Sequence, residues 1–415
     1  MNNPIRSRKG LRTPTRTGSG GQEYRIPFNN PCLVGDELTH IADAILRGHS
    51  SGNGTYTKRC QQLLETKLGA AKILLTTSCT SALELAALLV DIQPGDEVII
   101  PSFTFVSTVN AFVLRGAVPV FVDIRPNTLN MDADLLSSAI TVRTKAIVPV
   151  HYAGVGCEME SICALGRERG IAVIEDNAHG LFAKYDHKYL GTFGSLATQS
   201  FHETKNITCG EGGALIVNDP DLIERAEILW QKGTNRNRFD RGEVDKYTWV
   251  DVGSSFLPSD ILAAFLFAQL SRYEEIREKR ARIWRTYFER LGPWAKEHRV
   301  QLPYVPKHCD QSFHMFYMVM PSSTARDALI QHLKRRGIMA VIHYVPLHLS
   351  PMGQRLAPKA DCPVTAHVSS CLVRLPFYND LSQPQLSDVV EAIEAFDEWD
   401  SARDSAQASV ALRAV

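Results

Sequence analysis

Between residues 73 and 217, short apolar runs alternate with stretches in which apolar residues return every three or four positions. The runs at 73–75, 97–100, 118–122, 146–150 and 172–174 have the length and composition of strands, and 81–90, 104–115, 135–140 and 157–169 have the helical period. Pro149 weighs against a central place for 146–150, but Ile147, Val148 and Val150 around it weigh more. The stretch 81–90 is apolar nearly all round, which predicts a buried helix. Strands that alternate with helices in this way belong to a mostly parallel sheet covered on both faces, an α/β fold. Two more strands are expected at 196–201 and 214–217, helices at 36–47, 63–68 and 223–230, and a long helical stretch at 259–290. Past Pro293 the order changes to strands at 315–320, 339–344 and 372–375 with helices at 325–336 and 385–399. The expected organisation is a tail over 1–25, a large α/β domain over 26–290, a small α+β domain over 291–400 and a second tail over 401–415.

In such sheets ligands bind outside the carboxyl ends of the strands. Three polar loops lie at those ends: Thr77-Ser78-Cys79-Thr80, the loop 102–105, and the loop that starts at Asp176 in VIEDNAHG. Lys205, in SFHETKNITCGEGG, falls on the connection between two strands rather than on a helix face. A lysine held there, partly desolvated, has its pKa lowered and forms a Schiff base with a carbonyl. An aspartate at one strand end and a lysine beyond a later one are the pair that pyridoxal 5'-phosphate requires. The lysine holds the aldehyde, and the carboxylate keeps the pyridine nitrogen protonated. Hydroxyls and free amides at the start of the 81–90 helix make either an anion site or an ordinary helix cap. Ser200 either adds a hydroxyl to that site or simply ends its strand. Phe103 and Phe105 are both candidates to stack on an aromatic cofactor, with core packing as the alternative. His179 either bonds the cofactor's ring oxygen or phosphate, or is a satisfied structural histidine.

Composition narrows the classes. Lysine plus arginine equal aspartate plus glutamate at 45 each, so net charge offers no basis for binding nucleic acid or an anionic membrane. No apolar run approaches the roughly 20 residues that span a bilayer, and the start of the chain lacks a signal-peptide core, so a cytoplasmic location is expected. Nine cysteines without a C-x-x-C pair or a Cys/His set at ligand spacing predict neither a disulfide framework nor a metal site. Arg6, Arg8, Lys9, Arg12 and Arg16 lie among threonines and prolines with no apolar period, which predicts a disordered basic tail.

The segments VIEDNAHG, SFHETKN, GEGG, PSFTFVSTVNAFVLRGAVPVFVDI, VPVHYAG and HYVPLH together resemble the DegT/StrS-type sugar aminotransferases, a group of fold-type I pyridoxal phosphate enzymes. Runs such as VDIQPGDEVII, FVLRGA, KGTNR, VDKYTW and GSSFL are most similar to the dTDP-4-amino-4,6-dideoxygalactose transaminases within that group. The resemblance implies that Lys205 is the Schiff-base lysine, Asp176 the partner of the pyridinium nitrogen, and Cys79, Thr80 and Ser200 the phosphate contacts. It further implies Phe105 as the stacking ring, His179 near the ring oxygen, Tyr56, His343, Tyr344 and His348 as sugar-nucleotide contacts, and Arg236 or Arg238 as the contact of the diphosphate. Some relatives carry a histidine in place of the lysine and dehydrate sugars; Lys205 argues against that branch. Many carry an asparagine near the place of Ser254 and Ser255, reaching the phosphate from a second subunit. A homodimer with its sites at the interface is implied by the resemblance alone.

The expected activity is a transamination from L-glutamate to C4 of a dTDP-linked 4-keto-6-deoxyhexose, in polysaccharide biosynthesis. The alternatives are a UDP-4-keto or 3-keto nucleotide sugar as acceptor, or a non-catalytic regulator that binds pyridoxal phosphate. The configuration produced at C4 is left open.

Overall fold

The computed structural model describes residues 24–399. The expected tails over 1–25 and 401–415 lie, apart from residues 24 and 25, outside the described residues. Two helices, α1 (Glu37–Leu46) and α2 (Thr55–Leu68), precede a run of strands: β1 (Lys72–Thr76), β2 (Glu97–Pro101), β3 (Val118–Val122), β4 (Thr144–Ile147) and β5 (Ala172–Asp176). After β1 and β2 the chain returns through α3 (Cys79–Leu89) and α4 (Val106–Val113), and after β3 and β4 through the helices Leu136–Ala139 and Met159–Arg169. A small hairpin, β6 (Lys184–Tyr185) and β7 (Lys188–Tyr189), separates β5 from β8 (Leu196–Ser200) and β9 (Gly213–Val217).

The seven-stranded sheet has the order β1-β9-β8-β5-β4-β2-β3. β9 is antiparallel to both its neighbours, and all other neighbouring pairs are parallel. The connection from β8 to β9 contains no crossover helix, so the chain can only come back in the opposite direction. The expected mostly parallel α/β sheet is therefore present. α3 packs between this sheet, α4 and the helix Ile223–Trp230, with Leu83, Leu85 and Leu89 buried. Each of those leucines contributes roughly 1.5–3 kcal/mol through burial. Pro149 sits just past the end of β4, where its carbonyl still accepts from the Asp176 amide at 2.9 Å.

Several elements depart from their periodicity. α2 starts at Thr55 although only 63–68 carries a helical apolar pattern, because its first turn is capped from far along the chain. The buried Asp260 carboxylate accepts from the Tyr56 amide at 3.1 Å, the Thr57 amide at 2.7 Å and the Thr57 hydroxyl at 2.8 Å. The stretch 259–290 divides into two helices, Asp260–Ser271 and Tyr273–Glu297, at Arg272, whose φ of −117° and ψ of 21° leave the helical region. The second helix passes through Pro293, which has no N–H for the carbonyl of Glu289; that residue is exposed, so water can satisfy the carbonyl.

Downstream, β10 (Cys309–Asp310) joins the β6–β7 hairpin, and β11 (Tyr317–Val319) pairs antiparallel with β12 (Leu372–Arg374). The strand expected at 339–344 is reduced to isolated bridges, Ile338 with Ile26 and Val341 with Arg374. An apolar cluster of Ile26 and residues from Ala281 to Phe396 underlies this region, so the helix Tyr273–Glu297 carries both sides of residue 290. All nine cysteines are free, and no described helix is long and apolar enough to cross a membrane.

Replacing Asp260 with alanine strands three buried donors at the head of α2. Urea unfolding of Asp260→Ala is expected to show a loss of about 2–4 kcal/mol, and an unchanged midpoint would contradict the cap.

Candidate active site

A cavity of about 510 Å³ opens where β1, β2, β5 and β8 end. From the sheet side it is lined by Ser78, Cys79, Thr80, Thr104, Phe105, Ser107, Thr108, Asp176, His179, Ser200 and Lys205, and from the C-terminal region by His314, His343, Tyr344 and Arg374. Each sheet residue follows from the same rule: a parallel strand delivers its carboxyl end, and the polar loop after it, to one edge.

At the end of β1, Ser78 caps α3 by accepting from the Ser81 amide at 3.0 Å. The GEGG turn is pressed against this cap. A Cβ on Gly213 would lie 2.4 Å from the Cys79 nitrogen, so only glycine lets β9 approach. Thr80 donates to the Ser107 hydroxyl at 2.8 Å, joining the first turns of α3 and α4. Free amides and hydroxyls collected at a helix start form an anion cradle. Burial, then the charge of Asp176, pushes the Cys79 thiol up, so it stays protonated beside Thr198.

At the end of β5, strand alternation sends Glu175 and Asp176 to opposite faces. Glu175 is consumed internally, accepting from the amides of Gly191, Phe193 and Gly194 and pairing with His151 at 2.9 Å. Asp176 faces the cavity. Its carboxylate accepts from the Thr108 hydroxyl at 2.7 Å and the Ala178 amide at 3.1 Å. Because the Thr108 proton is spent on Asp176, the Thr104 hydroxyl, 2.8 Å away, must donate to Thr108. The threonine relay fixes the orientation of the carboxylate.

Lys205 follows β8 on a turn closed by its own amide to the His202 carbonyl at 2.9 Å. Its neighbour Asn206 is clamped between the Ser312 carbonyl and His314 Nδ1, both at 2.8 Å. Burial in the cavity pulls the Lys205 amine down to about 8, with the Arg374 charge adding to it, against the opposing pull of Asp176. His179 stacks on His314 with ring centres 4.2 Å apart, and its Nε2 lies 3.4 Å from the Tyr344 hydroxyl. His343 stacks on Tyr344 at 3.6 Å and meets the Tyr152 hydroxyl at 2.7 Å. Burial, then the nearby cations, holds His179, His314 and His343 well below the usual imidazole range, so all three are neutral. Phe313 and Tyr344 hold φ of 55° and 33°, left-handed values that cost side-chain-bearing residues energy and place backbone strain at the cavity.

Of the residues expected from sequence, Lys205, Asp176, His179, Cys79, Thr80, Phe105, Ser200, His343 and Tyr344 are brought together in this lining. Phe103 is buried against Tyr152 and outside it, while Phe105 is 57% exposed on the rim. Three expected substrate contacts also lie elsewhere. Tyr56 is buried with its hydroxyl on Asp43 at 2.9 Å, and His348 is tied to Ser102 at 2.6 Å. Arg236 is exposed on the helix Arg236–Asp240, 3.9 Å from Asp240. Thr108, His314, Asn206 and Arg374 were not anticipated. The four-residue spacing of Thr104 and Thr108 at a helix start was the one local signal among them.

The family model for the DegT/DnrJ/EryC1/StrS aminotransferase family matches residues 32–394. The chain belongs to that family. It is 31% identical over 384 residues to the spore coat polysaccharide biosynthesis protein SpsC of Bacillus subtilis, covering 90% of this chain and 97% of SpsC. Among solved structures it is similar to the aminotransferase TlmJ of Streptoalloteichus hindustanus, with a TM-score of 0.82, 30% identity, and 89% and 98% of the two chains covered. The putative sugar aminotransferase Spr1654 of Streptococcus pneumoniae, solved in a PLP form, matches with a TM-score of 0.81 at 27% identity over 89% and 98%. The chain is thus a transaminase of a pyridoxal phosphate-dependent family of sugar aminotransferases.

The lining residues fit that cofactor. An amine below the ordinary lysine range, an anchored carboxylate and an anion cradle share one cavity, and the buried His179 Nδ1 has no partner within the described residues. Capture of pyridoxal phosphate by cofactor-free protein requires the neutral amine. Its rate, followed by absorbance, is therefore expected to fall about tenfold per pH unit below roughly 8 and to level off above it. A rate that keeps rising towards the ordinary lysine value of 10.5 would exclude a desolvated amine.

Proposed function

We propose that this aminotransferase moves an amino group from L-glutamate to C4 of a dTDP-linked 4-keto-6-deoxyhexose. The observation that carries the chemistry is the desolvated Lys205 amine in one cavity with the threonine-anchored Asp176. The acceptor rests on the likeness of VDIQPGDEVII, KGTNR, VDKYTW and GSSFL to dTDP-4-amino-4,6-dideoxygalactose transaminases.

On this reading Lys205, Asp176, His179, Cys79, Thr80, Phe105 and Ser200 hold the cofactor. Cys79 serves through its backbone amide, since its thiol stays neutral. Pyridoxal phosphate, when bound, supplies an electron sink for a carbanion. The chain supplies the rest. Asp176 presents a fixed negative charge to a positive ring nitrogen. Lys205 Nζ takes the proton from the donor's α-carbon and later delivers one to the sugar carbon, a task suited to a group titrating near 8. The face of the sugar that receives this proton sets the galacto or gluco product. His343 and Tyr344 border the sugar, and the neutral histidines place donors and acceptors there without adding charge.

A homodimer belongs to the same proposal. Trp249 is 77% exposed and lies near the exposed Tyr247, Val250 and Val252, an apolar stretch suited to a second copy. In that dimer the exposed Arg236 serves the neighbouring subunit's cavity, whereas Tyr56 and His348 act by holding their loops. Nine unpaired cysteines support a reducing, cytoplasmic setting.

Purified protein given L-glutamate and dTDP-4-keto-6-deoxyglucose is expected to yield 2-oxoglutarate and a 4-amino sugar, with NMR assigning C4. Lys205→Ala is expected to lower turnover by at least about 10²–10⁴-fold. Unchanged turnover in that variant would falsify the role of Lys205, and transfer only to a UDP-linked or 3-keto sugar would overturn the acceptor.

A further inference from the structure

The buried segment Ser312-Phe313-His314, between β10 and β11, is tied to three other parts of the chain. The Ser312 hydroxyl donates to the His179 carbonyl at 2.6 Å, on the loop that starts at Asp176. From the helix Tyr273–Glu297, the buried Arg280 donates to the Phe313 carbonyl at 3.0 Å and to the His314 carbonyl at 2.5 Å. A guanidinium spent on two consecutive carbonyls braces the backbone at the point where Phe313 is held at its left-handed φ of 55°. The third tie is to the residue after Lys205. Both polar ends of the Asn206 side chain are used: Nδ2 donates to the Ser312 carbonyl and Oδ1 meets His314 Nδ1, each at 2.8 Å. The first contact assigns the amide, so Oδ1 only accepts and the proton of the neutral His314 ring sits on Nδ1. The same ring stacks on His179, with centres 4.2 Å apart. Among His179, Gln199, Lys205, Asn206 and His314 lies a chamber of about 10 Å³, room for one water at most.

We infer that His314 is a positioning residue for Lys205, which it holds in place through Asn206. The inference rests on the reading of Lys205 as the working amine. The connection from β8 to β9 carries no helix, and the turn at the lysine is closed by its own amide on the His202 carbonyl at 2.9 Å. Asn206 adds an anchor from outside that connection, and the His314 N–H is half of it. Anchored in this way, Lys205 borders a chamber too small to hydrate an ammonium group. Released, the turn can move away, the chamber widens, and water reaching the amine lowers the cost of its charge. The charges of Asp176 and Arg374 that act on the amine come from other elements. His179, His343 and Tyr344, which share the cavity, stay neutral, and His202, Glu203 and Glu211 belong to the lysine's own connection. None of these groups is hydrogen-bonded to the His314 imidazole, so its removal alters the hydration of the amine and leaves the surrounding charges in place.

The test compares His314→Phe with His314→Asn in the full chain. Phenylalanine keeps a ring to stack on His179 and loses the Nδ1 proton, whereas asparagine loses the ring and puts an amide N–H where Nδ1 was. Capture of pyridoxal phosphate by cofactor-free protein is followed by absorbance between about pH 6 and 10. In His314→Phe the break near 8 is expected to move up by about one pH unit, which makes capture about tenfold slower at about pH 7 with an unchanged alkaline plateau. His314→Asn is expected to keep the break within about 0.3 unit of wild type. A role confined to stability would lower plateau and acid arm together and leave the break unmoved, and that outcome overturns the inference. An equal shift in both variants also overturns it, by tracing the effect to the stack. Asn206→Ala covers the case in which His314→Phe does not fold: it is expected to raise the break by a similar amount, and the two substitutions together no further than either alone. An unmoved break in Asn206→Ala, or shifts that simply add, contradict the anchor. If wild type captures no pyridoxal phosphate at any pH, the cofactor reading fails. The titration of Lys205 itself, followed by NMR with isotope-labelled lysine and assigned as the signal absent from Lys205→Ala, then still decides whether His314 moves it.

Discussion

The withdrawal of one amine from water is the constraint on which the site depends. Lys205 titrates near 8 because the cavity denies its charged form solvent, and the carboxylate of Asp176 only partly restores it. A lysine in the open would be protonated and inert as a nucleophile at neutral pH. One in a dry apolar pocket would lose the charge it needs when it hands over a proton. The sheet edge supplies the compromise, with walls that withhold water from the amine and the Asp176 carboxylate to keep protonation within reach.

The remaining polar groups are consistent with that balance. Three imidazoles line the cavity with Lys205 and are all kept neutral, so they occupy space and offer hydrogen bonds without adding positive charge beside the amine. Asp176 is held by Thr108, and Thr108 by Thr104, so that the negative charge stays fixed while Glu175 next to it is bound into the loop Gly191–Gly194. Arg374 is the one guanidinium in the lining, and it leans on Phe28 rather than on a carboxylate.

Rigidity comes from the architecture. Parallel strands bring Thr76, Pro101, Asp176 and Ser200 to the same edge, and the close approach of Gly213 to the start of α3 leaves no slack between cradle and lysine loop. Strained backbone at Phe313 and Tyr344 lies where the C-terminal region meets this edge.

The order of strands and helices, the sheet edge as the place of the site, and the pairing of Lys205 with Asp176 were legible in the sequence, because apolar period and polar strand-end loops are local properties of the chain. The antiparallel β9, the early start of α2 and the division at Arg272 were not, since each is settled by a partner far away, as Asp260 caps Thr57 across the chain. The same distinction runs through the site. Lys205, Asp176 and His179 declare themselves through neighbours in sequence, whereas Thr108, His314 and Arg374 acquire meaning only where the fold sets them beside the cavity. Tyr56 and His348 show the converse. The resemblance implies them as substrate contacts, and the tertiary structure gives their polar atoms partners within the chain, Asp43 and Ser102, because a buried hydroxyl or imidazole takes whichever partner the packing brings within reach.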